Sequence, residues 1–142
     1  MKLKMTGHNT TKTSYVTAEE LKKVSNGVST KGYFDSDIDW NDSDDPIVLT
    51  IKNTIYINDK LTGQEKKDVE AHERQHFADF KKLAEKMKTD IERALRNGKV
   101  PQIADRVDWL IYDRCQTSAA FHRKTAGYSV EICFAPTSDR PK

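Results

Sequence analysis

The stretch VEAHERQHFADF places His72 and His76 four residues apart, with Glu73 directly after the first histidine. On an α-helix, residues four apart lie on one face, one turn above the other. Two imidazoles at that spacing can reach a single ion, and neutral imidazole nitrogen suits Zn2+ at about 2.0–2.1 Å. Glu73 is rotated by about 100° from His72, so it leans over the ion instead of sharing its ligand shell. Zinc lowers the pKa of a bound water towards about 7, and a carboxylate beside that water can take its proton. This is the physical content of the H-E-x-x-H pattern. The surroundings favour a metal site over ordinary helix surface. Both histidines fall on the apolar stripe of a long helical pattern, where an imidazole pair is costly to bury without a partner.

An open zinc site takes three protein ligands. The extended pattern H-E-x-x-H-x-x-G-x-x-H fails, because Asp79 and Lys82 occupy the glycine and final histidine positions. A second helical pattern follows, and from Gln102 to Lys124 it contains no glutamate; its donors are Asp105, Asp108, Asp113 and His122. Two antiparallel helices joined by a short loop bring together residues equally far from the turn. With the turn centred near residue 99, His76 and His122 stand at the same height, whereas Asp113 falls beside Glu85. His122 is therefore the expected third ligand, with Asp79 and Asp113 as fallbacks. A histidine near a helix C-terminus is also favourable on its own account. Asp79, one turn past His76, is placed to orient an imidazole. Tyr128 is expected beside Glu73 in the catalytic set, as a donor to a developing oxyanion, and Arg123 is a weaker candidate for that role. His8, in a polar stretch, has no expected role.

These residues need elements to hold them. Thr17-Ala18-Glu19-Glu20 reads as a capping box opening a short helix to about Val24, and Asn26-Gly27 as a turn. Ile47–Ile51 and Thr54–Asn58 are β-branched runs with Lys52-Asn53 between them, which predicts a hairpin. The aspartate-rich stretch Asp39–Pro46 reads as a solvated loop, since it lacks the ligand spacing of a calcium site. Thr62-Gly63-Gln64-Glu65 opens a helix that nothing breaks before Asn97. Val69, His72, His76, Phe80, Leu83, Met87 and Ile91 recur on its inner face. Asn97-Gly98 and Pro101 end it. A second helix spans about Gln102 to Lys124, and Tyr128–Ala135 is expected to form a last strand. The expected architecture is α+β, a small, mostly antiparallel sheet on a long two-helix hairpin.

The chain has 142 residues, enough for a single domain with a real core, and its residues 1–14 and 137–142 are expected to be flexible. Charged residues make up 32% of it and balance to a net +2, mixed along the chain. That is no footprint of a nucleic-acid binder, and no apolar run is long enough for a membrane span. No signal peptide opens the sequence. Secretion or a periplasmic location with a signal removed is the expectation, and the cytoplasm is the alternative. Cys115 and Cys133 form no C-x-x-C motif. They would make one disulfide in an exported domain and remain buried thiols in a cytoplasmic one.

VEAHERQHFA, from Val69 to Ala78, followed by a second helix, resembles the zincin metallopeptidases. It is most similar to small zinc-dependent proteases of bacteria whose motif helix reads HE-x-x-H-F. FHRKTAG, Phe121 to Gly127, loosely resembles their next element, with His122 in its donor slot. The resemblance implies a zincin-like fold and hydrolysis of peptide bonds on zinc, with a peptide or protein as substrate. Two alternatives stand beside it: a zincin-like domain holding metal for structure or a partner, and a helical interaction module without metal.

Overall fold

Period-two alternation organises the sheet. Ile47, Leu49, Ile51, Asn53, Ile55 and Ile57 all turn inward, and the residues between them turn outward or lie half-covered. The computed structural model, which describes residues 1–142, runs them as one strand. Its elements in chain order are β1 (Leu3–Thr6), β2 (Lys12–Val16), α1 (Ala18–Val24), β3 (Gly32–Asn41), β4 (Ile47–Asn58), α2 (Gly63–Arg96) and α3 (Ile103–Ala126). The hairpin expected at Lys52-Asn53 is thus corrected to a through-strand of 12 residues. Parity explains why. A two-residue turn there would have sent Ile55 and Ile57 to the face opposite Ile47, Leu49 and Ile51. Burying all five on one face is worth about 1.5–3 kcal/mol per side chain, far more than a turn preference.

The expected mostly antiparallel sheet is corrected as well. The α+β class stands, but the path β1-β4-β2 is made of parallel strands, with β3 off that path and paired to β4. β2 runs parallel to the second half of β4, Lys12 opposite Thr54 and Val16 opposite Asn58. β1 meets the first part of β4, where the Ile47 N–H donates to the Lys2 carbonyl at 2.8 Å. Residues 1–14, expected to be a mobile tail, therefore carry β1 and much of β2. Asn53 holds the loop between them. Its side-chain amide donates to the carbonyls of Gly7, His8 and Thr10, and its carbonyl accepts from the Ser36 hydroxyl at 2.8 Å. Gly7, at φ +86°, lies so close to the Ile51 carbonyl that any side chain there would collide with it.

The chain packs as two compact units. One comprises Thr6–Asp39 and Thr50–Ala78. Its core includes Leu21, Phe34, Ile51, Ile55 and Ile57. Thr17 caps α1 as expected, its hydroxyl accepting from the Glu20 N–H at 3.2 Å. The other comprises Met1–Met5, Trp40–Leu49 and Asp79–Lys142. There the second half of α2 buries Phe80, Ala84, Met87, Ile91 and Ala94 at intervals of three and four, and α3 buries Ile103, Val107 and Leu110. Gly98, at φ +66°, ends α2. Arg106, almost wholly buried, donates to the Pro101 carbonyl at 2.7 Å and to the Lys142 carbonyl at 3.1 Å.

The last strand, expected at Tyr128–Ala135, does not form; the residues after α3 have no regular structure. Tyr128, Val130, Ile132 and Phe134 still alternate outward, but no strand runs beside them to supply backbone partners. This segment is fastened by side chains. Cys133 forms a disulfide with Cys115, and Arg140 pairs through both outer nitrogens with Asp113 while lying 4.3 Å over the Trp109 ring. No helix is long and apolar enough to cross a membrane.

Replacing Asn53 with Ala removes three donor contacts from a partly buried loop. Unsatisfied buried carbonyls cost about 1–3 kcal/mol each. Urea denaturation of Asn53→Ala is expected to show a loss of about 2 kcal/mol or more. A loss below about 0.5 kcal/mol would mean that water replaces the amide without penalty.

Candidate metal centre

α2 is helical without interruption from Gly63 to Arg96, so the spacing in HERQH is realised as one face of one helix. His72 and His76 approach edge to face, with ring centroids 4.7 Å apart, and their Nε2 atoms are separated by 3.1 Å. His122 lies on α3, four residues before its end. One ring nitrogen from each of His72, His76 and His122 can be chosen so that all three lie within 4.8 Å of one another. Three histidines this close could bind a metal ion. All three are partly buried, which limits competition from water while leaving a path to the site.

Glu73 is 4% exposed. Burial pushes its carboxyl up from 4.5 to about 8, because the charged form loses its hydration. Close approach of the backbone at the start of β3 covers it. A Cβ on Gly32 would stand 2.6 Å from Val69 Cγ1 and 3.1 Å from Glu73 Cγ, so only glycine fits without displacing them. Glu70, three residues earlier on α2, accepts from the Tyr15 hydroxyl at 3.3 Å.

The remaining expected residues fall elsewhere. Asp113 is engaged by Arg140 at 2.7 and 2.8 Å. Asp79 is half-buried on α2. Tyr128 is 67% exposed, beyond the end of α3. Arg123 is exposed. His8, given no role, is buried within the loop that Asn53 holds.

One residue at the cluster was not anticipated. Glu131 hydrogen-bonds His122 Nδ1 through its Oε1, which also accepts from the Ser129 hydroxyl at 3.1 Å. Burial alone would raise the Glu131 carboxyl, but the bonds from His122, Ser118 and Ser129 outweigh it and hold the group below the ordinary carboxylate range. A strand reading of Tyr128–Ala135 already placed Ser129, Glu131 and Cys133 on one side. That shared side, facing a helix that carries Cys115 and His122, was the available signal. No family model, curated protein or solved structure matches the chain.

Glu73 also sets a pH dependence. In metal-free protein its folded-state pKa lies above the unfolded value, so the folded state holds the extra proton between about pH 4.5 and 8. Stability therefore falls as pH rises through that window and levels off above it. Thermal melts in chelator at about pH 5 and about pH 9 are expected to show a larger drop for the wild type than for Glu73→Gln. Equal drops would show that Glu73 carries no such penalty.

Proposed function

We propose that this protein is a zinc-dependent peptidase of the zincin type, in which His72, His76 and His122 hold the ion and Glu73 is the base. The observation that carries this reading is the convergence of three imidazoles from two helices next to a buried carboxylate. The spacing within the α2 pair fits the metal. Two nitrogens bound tetrahedrally to zinc at about 2.0–2.1 Å lie about 3.3 Å apart, close to the 3.1 Å between the Nε2 atoms of His72 and His76. Three neutral imidazoles leave a fourth position open, as catalytic zinc requires. When bound, the ion would supply an acidified water and polarise a carbonyl oxygen.

The residues of the chain do the rest. Glu73 is held by burial in the range where a carboxyl exchanges protons near neutral pH, which suits a general base. A bound cation beside it would favour its charged form. β3 pairs only with β4, so its other edge can take an extended peptide by backbone hydrogen bonding. Gly32, at the start of β3, packs against Glu73 and so links that edge to the base. The substrate in this reading is a peptide or protein in extended form. The disulfide between Cys115 and Cys133 fits a secreted or periplasmic protein.

One observation favours a second reading, in which the domain holds metal for structure or for a partner with little turnover. Glu73 is almost fully covered, which leaves little room for a substrate to reach it.

Glu73→Gln decides between the two. The peptidase reading expects zinc content to stay at the wild-type level while hydrolysis of an unstructured protein substrate falls by about 10²–10⁴-fold. His76→Ala is expected to lose metal and activity together. Zinc-loaded wild type that cleaves no peptide would leave the second reading; wild type that takes up no zinc would remove both.

A further inference from the structure

Beyond the three histidines, one charged side chain is built against the cluster. Chain leaving α3 turns Ser129, Glu131 and Cys133 inward and leaves Tyr128, Val130, Ile132 and Phe134 in solvent. The inward trio works as a fixture. The Ser129 hydroxyl donates to Glu131 Oε1 and accepts from the Glu131 N–H, each at 3.1 Å. Cys133, two residues further on, is covalently joined to Cys115. Cys115 lies two turns before His122 on α3, on nearly the same face. The carboxylate is thus pinned locally by Ser129 and at longer range by the bridge, and its oxygen meets His122 Nδ1.

The chemistry of an imidazole ligand gives this contact its meaning. A neutral ring has one N–H and one bare nitrogen, and only the bare nitrogen can bind a cation. An ionised carboxylate accepts hydrogen bonds and donates none. Glu131 therefore keeps the proton on Nδ1 and makes Nε2 the nitrogen that can ligate. It also stops the ring from turning. Outer carboxylates of this kind raise ligand basicity, and their loss typically weakens metal binding by about 10–100-fold.

We propose that Glu131 is the positioning residue of the metal centre, fixing the tautomer and direction of His122, and that the Cys115–Cys133 bridge holds Glu131 in place. This rests on the reading of His72, His76 and His122 as a metal site.

The test measures zinc affinity of the full chain by competition with a chelating dye, for wild type, Glu131→Gln, Glu131→Ala and the paired variant Cys115→Ala/Cys133→Ala. Glu131→Ala is expected to bind about 10–100-fold more weakly. Glu131→Gln, whose amide oxygen still accepts from Nδ1–H, is expected to lose less. The paired cysteine variant is expected to weaken binding as well, and adding Glu131→Ala to it should bring little further loss. In metal-free wild type, ¹⁵N shifts should show His122 protonated at Nδ1, and in Glu131→Gln a greater share protonated at Nε2. Wild type that binds zinc while Glu131→Ala binds it equally well overturns the positioning role alone. Wild-type His122 found protonated at Nε2 overturns it regardless of how the variants fold. Wild-type affinity in the cysteine pair overturns the role of the bridge. Wild type that binds no zinc overturns the underlying metal reading and this one with it.

Discussion

The site depends on α2 staying helical for 34 residues without a break. Each residue in its interior closes a backbone hydrogen bond to the residue four earlier, and a single interior proline or glycine would interrupt that ladder. None occurs between Gly63 and Arg96. That continuity keeps His72 and His76 about one turn apart, in register with the apolar residues that follow them. Phe80, Ala84, Met87 and Ile91 continue the same stripe into the second unit, where they are buried. The inner face of one helix thus carries two histidines of the cluster in its first half and packing further along. Histidine spacing and core spacing share a single period.

The helices and the histidine pair on α2 were legible because both are local. Capping at Thr17, the end of α2 at Gly98 and the start of α3 after Pro101 come from residues within a few positions of each boundary. The choice of His122 required only an equal count from one turn, and the three histidines do cluster. What was hidden is non-local. β1 and β2 lie in a polar stretch that gives no strand signal of its own; they form because β4 offers backbone groups on its flank. Lys52-Asn53 looked like a turn because both residues are polar. The informative pattern was longer, since the odd-numbered positions from 47 to 57 keep one parity, with Asn53 among them as the polar anchor of a loop. Tyr128–Ala135 shows the reverse case, with correct alternation but no partner strand.

Glu73 and Glu131 show how burial can act in opposite senses on two carboxyls near one cluster. At Glu73 desolvation acts without compensation, and the acid is held well above its ordinary range. At Glu131 desolvation is opposed by several donors, and the group is held below it. One is suited to exchanging a proton, the other to staying charged. The difference follows from neighbours. Glu73 faces the bare backbone of Gly32, whereas Glu131 meets an imidazole and a hydroxyl.

The bridge between Cys115 and Cys133 spans 18 residues of sequence, enclosing the end of α3 and the exposed Tyr128, Val130 and Ile132. That loop is the kind of extended, accessible backbone that proteases cut first. A single cleavage between residues 115 and 133 would leave both fragments covalently tied, and the downstream piece would still be clasped by Asp113 through Arg140. A nicked chain would therefore gain only the mass of one water and migrate as one species until its sulfurs were reduced.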